Sequence, residues 1–300
     1  MAMNNIPAFT DNIDGRNKKN KLFLILIIVM SVLTVIPIFL IVGKIIINGI
    51  GQINFSFFVQ TSPDSLQAMT AIASNQTIPG GIANGIIGTL IIVLLSSVMS
   101  VPAGIMIGIY LYENQGRQYS NILRNITEIL QGVPSIVLGI ISYLWVVKNI
   151  TNGFSALAGS VALSIMMLPM IIRSTEETMK MIPNEIREAA FAMGAPYHKV
   201  ILRILIPTGF SGLSTGILLS LSRIIGETAP LMMTALGSSV INLNITKPTS
   251  AVPLLIWEFY NDPNMVRLVW SSALFLMIFI LTLNILSNRL ASKRMIGKRR

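Results

Sequence analysis

The chain has no cysteine and a single histidine, His198. Disulfides, thiol nucleophiles and thiolate metal sites are therefore excluded, and one imidazole in a loop builds neither a histidine metal cluster nor a Ser-His pair. A nucleotide loop is missing too. The Gly-Lys pairs at 43–44 and 297–298 lack both the upstream glycine and the following hydroxyl that cradle phosphates. Charge is scarce: Asp, Glu, Lys and Arg make up 11% of 300 residues, and acids number only 12 against 22 bases. No internal repeat of the kind that marks many secondary transporters is visible.

What is present is hydrocarbon. With 53% hydrophobic residues and a mean hydropathy of +0.71, this is a polytopic membrane protein. Crossing about 30 Å of hydrocarbon takes roughly 20 residues. Six runs qualify: Leu22–Val42, Ile82–Tyr112, Ile129–Val147, Phe154–Ile172, Ile204–Leu236 and Leu268–Asn288. The second and fifth exceed one span, so tilting or a kink at Pro102 is expected. The first run is too long for a signal peptide core and no A-x-A site follows it, so it reads as a retained span.

Loop cations set the orientation. With the N-terminus inside, the inner segments hold seventeen: four before the first span, Arg117 and Arg124, five between Arg173 and Arg203, and six from Arg289 onward. The outer segments hold four: Lys44, Lys148, Lys247 and Arg267. Both termini are expected in the cytoplasm. The net charge of +10 is explained by bases that bracket spans, which disfavours a nucleic-acid reading. The expected layout is a tail over 1–21, a span over 22–42, an outer loop over 43–81, a core over 82–236, an outer loop over 237–267, a span over 268–288 and a basic tail over 289–300.

One polar stretch interrupts the core at about 183–203. Pro183, Gly194 and Pro196 divide it into two short helices, because proline suits a helix start and glycine a left-handed close. Ile182, Ile186, Ala189 or Ala190, and Met193 fall on one face of the first. Such an object docks on a surface. A second exception is Arg223 with Glu227, inside the fifth run. A charge at the bilayer centre costs about 2.5–3.5 kcal/mol, so the two should face a polar interior and pair at i, i+4. They either meet cargo or neutralise one another between helices. Three small-xxx-small spacings, Gly81–Gly85, Gly104–Gly108 and Gly212–Gly216, permit close helix approach, within the chain or with a partner.

These features carry a resemblance. Glu188, Ala189, Ala190, Gly194, Ile204 and Pro207 stand at the spacings of the EAA signature of ABC importer permeases, with Ile206 where that family has Leu. SRIIGETAPL at 222–231 resembles the R-x-x-G-E-T-A-P-L motif of phosphate permeases of PstA type, as do GGIANGIIGTL at 80–90, GVPSIVLG at 132–139 and IIRSTEETM at 171–179. The resemblance implies an all-α type I ABC importer permease of six transmembrane helices in the inner membrane of a prokaryote. It implies a non-catalytic subunit carrying inorganic phosphate, with a PstC-type second permease, a PstB-type ATPase dimer that binds ATP and Mg, and a PstS-type binding protein. No cofactor is expected on this chain. Glu188, Ala189, Ala190, Gly194 and Pro207 would serve ATPase coupling. Arg223 and Glu227 would lie on the substrate pathway. Arg173 is either the exit of that path or a positive-inside anchor. Sulfate or molybdate is the alternative cargo. An ion-gradient transporter would need no docking loop, and an intramembrane enzyme lacks its nucleophile and base.

Overall fold

The computed structural model describes residues 13–296 and divides into two units, Met1–Ile47 and Asn48–Arg300. The outermost residues of both expected tails lie outside the described range. The first unit is essentially one helix, α1 (Ile13–Gly49), which contains the run Leu22–Val42. Leu22 to Ile41 expose their side chains, as an apolar helix in contact with lipid does.

The second unit holds the remaining helices. Two short ones come first, α2 (Phe55–Val59) and α3 (Ser65–Ala73), each started by a polar cap; Asn54 Oδ1 accepts the Phe57 amide at 2.8 Å. Then come α4 (Ala83–Glu113), α5 (Gln118–Gly132), α6 (Ser135–Ser142) with a π-helical turn over Tyr143–Val147, and α7 (Ala156–Lys180). The polar stretch forms α8 (Asn184–Ala192) and α9 (Tyr197–Val200). A π turn over Ile201–Leu205 leads into α10 (Ile206–Ile225), followed by α11 (Ala229–Met232), α12 (Val252–Tyr260) and α13 (Val266–Ile296).

Helix α7 is the axis of this unit. Most of its apolar window is buried, whereas α4, α10 and α13 bury about a quarter of theirs. Glycine stripes let two neighbours close on it. A Cβ at Gly104 or Gly108 of α4 would sit 2.7 Å from Ile171 Cγ2 or 2.6 Å from Thr175 Cβ. On the other side Gly212 and Gly216 of α10 abut Thr178 and Ser174. The third spacing behaves alike, with Gly81 against Phe57 and Gly85 against Leu255. All three stripes therefore serve packing inside the subunit.

Two runs depart from the sequence reading. Ile129–Val147 is not one helix: the chain bends by 104° between α5 and the α6 segment, where Val133 is extended and Pro134 removes a donor. The bent pair still follows α7 from end to end. Arg124 Nη2 reaches Glu176 near the C-terminal turn of α7 at 2.7 Å, and Ser142 Oγ donates to Ala158 O near its N-terminal turn at 2.7 Å. Those contacts are eighteen residues apart, about 27 Å of helix, close to the hydrocarbon thickness. Among the described residues five continuous helices are long and apolar enough to cross a membrane, and the bent pair, counted as one span, makes six. The second departure is Ile204–Leu236, whose helix stops at Ile225, eleven residues early. By contrast α4 continues through Pro102 as one helix.

The segment after the stop folds back. Ser155, Ala156 and Leu157 at the start of α7 donate to the carbonyls of Thr234, Lys247 and Ile245, which satisfies amides that the helix itself leaves free. The buried Asn84 donates to Ser238 O at 2.7 Å and to Ser62 Oγ at 3.2 Å, and accepts the Ser62 amide. Most of the range 237–267 thus packs on the bundle rather than hanging free: α12 buries Val252, Leu254, Leu255 and Phe259.

Candidate functional site

The break after α10 builds the site. Gly226 caps the helix, the Glu227 amide still reaches Ile224 O at 3.2 Å, and Pro230 starts α11. Pro230 lies so close to α6 that a Cβ on Gly139 would sit 2.8 Å from its Cα. The GVPSIVLG and GETAPL segments are therefore in direct contact.

Arg223 occupies the last turn of α10 and Glu227 the unwound segment just beyond it. They pair across the helix end, Arg223 Nε to Glu227 Oε1 at 3.9 Å, and not along a continuous helical face as their spacing suggests. Arg223 Nη1 also points at the Met170 thioether on α7, 3.6 Å away. Met170 lies fourteen residues into α7, about 21 Å along a helix of about 37 Å. The guanidinium therefore faces the middle of a membrane-length helix. Its side chain is 54% exposed in the isolated chain and that of Glu227 20%, so the carboxylate is held and the guanidinium is offered.

Arg173 is not part of that pair. It lies three residues after Met170 on α7, and its Nε meets Glu177 Oε1 at 3.1 Å, both side chains well exposed. It lines a cavity of about 140 Å³ with Arg124, Glu128, Gln131, Glu176 and Lys180. Within that cavity Glu176, only 8% exposed, is held by Arg124 and by Lys180 Nζ, each at 2.7 Å. A separate groove of about 520 Å³ runs between α7 and α10 from Leu219, one turn before Arg223, to Pro183 at the start of α8. Ser174, Thr178, Thr208, Ser211 and Thr215 are among the residues that line it, with the Thr178 and Thr215 hydroxyls donating to the carbonyls of Ser174 and Ser211.

The two short helices after α7 have the expected punctuation. Gly194 takes φ +75 with open space around it, so its role is conformational rather than steric. Helix α8 buries none of its residues. Ala190 and Ala195 pack on the cluster of Ile109, Met179, Ile182 and Leu213, while Glu188 and Ala189 face out. The predicted apolar face is divided accordingly: Ile182 is buried, whereas Ile186 is 38% and Met193 87% exposed. Pro207 stands in the first turn of α10, and His198 is exposed on α9.

Sequence reasoning did not find Met170, Glu113 or the pair Arg124–Glu176. Glu113 at the end of α4 receives Arg187 Nη2 of α8 at 2.6 Å, across 74 residues. Only the burial of an isolated acid beside an apolar run hints at such a partner.

A bundle of long apolar helices with an exposed hairpin of two short helices and a charged pair where a long helix stops marks a multi-pass membrane protein. The chain matches the family model of the binding-protein-dependent transport system inner membrane component over residues 100–295, and it belongs to that family. It is 33% identical to a phosphate transport system permease protein PstA of Yersinia pestis over 282 residues, 93% of this chain and 92% of that one. A protein of the same description from Xylella fastidiosa is 36% identical over 80% of this chain and 81% of its own length. Among solved structures, a bacterial alginate ABC transporter chain superposes with a TM-score of 0.63 over 92% of this chain and 96% of its own, at 14% identity. The inward-facing methionine transporter MetNI gives 0.58 over 70% of this chain and 94% of its own, at 21% identity. These likenesses agree with the all-α, membrane-spanning importer-permease fold.

Proposed function

We propose that this chain is the PstA-type permease subunit of an ATP-driven importer of inorganic phosphate. The observation that carries the reading is Arg223, presented at the middle of α7 by a helix that stops there, with Glu227 3.9 Å away. A guanidinium offers a planar fork of donors to an oxyanion. A nearby carboxylate repels an unprotonated anion, but phosphate at neutral pH keeps a P–OH that a carboxylate accepts. Glu227 thus both neutralises the empty site and tolerates a protonated cargo. The groove between α7 and α10 leads from one turn before Arg223 toward α8, whereas Arg173, one turn past Met170, lines a separate cavity and is either an exit cation or a positive-inside anchor.

Phosphate arrives from an extracytoplasmic binding protein of PstS type. The open face bearing Arg223 is completed by a second permease of PstC type. Energy comes from a PstB-type ATPase dimer, which holds ATP and Mg and docks on α8 through Glu188, Ala189 and Ala190, with Gly194 and Pro207 shaping the hairpin. This chain performs no chemistry itself. The cation distribution supports a cytoplasmic position for both termini and α8 in an inner-membrane protein.

The test is reconstitution with these partners in proteoliposomes and measurement of labelled phosphate and labelled sulfate uptake. ATP-dependent phosphate uptake with no sulfate uptake is the expected result. Equal rates for the two anions would replace phosphate by a general oxyanion, and uptake without ATP would replace the importer by a gradient-driven carrier.

A further inference from the structure

For ATPase motion to reach the pathway, α8 must be fastened to a span, yet it buries none of its own residues. Its polar fastening is the contact between Arg187 and Glu113, the last residue of α4. The Glu113 side chain is 6% exposed and that of Arg187 30%, so the 2.6 Å contact is shielded on the acid side. The guanidinium carbon lies 5.7 Å from the centroid of the Phe191 ring, one turn along α8, which orients the fork before it meets the carboxylate. The Arg187–Glu113 contact joins α8 to a membrane-length helix, whereas the pairs at Glu176, Arg173 and Arg223 join α5 to α7, or lie within α7 or at the end of α10. Arg187 and Glu113 border an open groove of about 650 Å³ between the start of α8 and the ends of α4 and α7, lined also by Tyr112, Gln115, Lys180 and Asn184.

Resting on the reading of α8 as the ATPase-docking helix, we infer that Arg187 and Glu113 are positioning residues that carry the movement of α8 into α4. Ala190 in α8 and Ala195 just beyond it offer only small side chains to the cluster beneath, which gives little resistance to sliding. A short, charge-assisted contact to a buried acid resists that sliding and pulls on the end of α4. Helix α4 closes on α7 through Gly104 and Gly108, so a pull at Glu113 reaches the helix that carries Met170 and Arg173.

The experiment uses the full complex in proteoliposomes and reads phosphate imported per ATP hydrolysed, with co-purified ATPase as the second readout. Variants are Glu113→Gln, Arg187→Gln, Arg187→Lys and the double Glu113→Gln, Arg187→Gln. The double variant leaves no unpaired buried charge, which separates coupling from folding. The expected result is ATPase retained on every variant, import per ATP reduced at least about tenfold in the Gln variants and in the double, and an intermediate value for Lys, which lacks the fork. Normal import per ATP in the double variant overturns the inference, as does uncoupling seen only with loss of the ATPase. Failure of the wild-type chain to retain the ATPase, or normal coupling with Glu188→Lys, instead removes the docking assignment of α8.

Discussion

Arg223 separates two roles that one ion pair can have. If it meets the anion, Arg223→Gln removes a charge-assisted contact of about 1.5–3 kcal/mol, which lowers phosphate uptake by about 10- to 100-fold. Assembly with the ATPase is expected to stay at wild-type level, because the side chain is half exposed and its Glu227 contact is long, 3.9 Å. Arg223→Lys is expected to rescue poorly, since a point charge lacks the fork. The double Arg223→Met, Glu227→Met variant decides the matter: wild-type uptake by it would refute a cargo role and leave mutual neutralisation. Asp262 gives a residue-scale test of pH dependence. Hydrogen bonds from the Ser65 hydroxyl and from the Asn264 amide at 2.9 Å hold its carboxyl below the ordinary range. A depressed carboxyl contributes stability that is complete above its unfolded value of about 3.9 and is lost as pH falls through the lower folded value. Asp262→Asn should therefore flatten the acid limb of thermal stability below about pH 4 and leave neutral-pH uptake unchanged; an unaltered acid limb in purified protein would contradict this.

At the scale of elements, the docking hairpin was legible and the broken span was not. Prolines and glycine mark local backbone events, so Pro183, Gly194 and Pro196 placed α8 and α9 correctly from sequence. Hydropathy reports only what a segment is dissolved in. Ile204–Leu236 stays apolar through the unwound turn, because the carbonyls and amides there are satisfied by protein and not by water. Gly226 and Pro230 are the sequence signals for the break, and both sit inside a motif most of whose other residues are apolar or charged. The bend between α5 and α6 escaped for the same reason, with Pro134 as its signal. The hairpin carries its own prediction. Gly194 has φ +75 and no neighbour within 4 Å, so Gly194→Val meets no clash but pays backbone strain of about 1–3 kcal/mol. Asparagine tolerates that conformation. Gly194→Val is expected to cut phosphate uptake several-fold at unchanged membrane content, while Gly194→Asn transports nearly as wild type. Equal uptake by the two variants would show that the left-handed turn is not what coupling needs.

Across the whole molecule, sequence separation decides what can be read. Span number and loop charge are local sums and survive counting, whereas Arg187–Glu113 joins residues 74 apart and Asn84–Ser238 residues 154 apart, so neither appears until the chain is folded. A six-crossing arrangement requires the bent pair, which follows α7 between Ser142 and Arg124, to cross once, and that crossing would fix which loops share a side. If the pair crosses once, a reporter at Gln115–Gly116 and one at Asn149–Thr151 lie on opposite sides of the membrane. Together with the cation excess, this predicts cytoplasmic reporters at Gln115 and in 183–203, and extracytoplasmic ones at Asn149, Asn75 and Leu243. Leu243 is the suitable insertion point in the last of these loops because it is 73% exposed, whereas Thr249 is buried and its neighbourhood caps α7. Reporters at Gln115 and Asn149 that read the same side would make α5 and α6 a re-entrant hairpin. The chain would then cross five times and its termini would lie on opposite faces, and the expected cytoplasmic position of a reporter after Arg300 would fail in the same experiment.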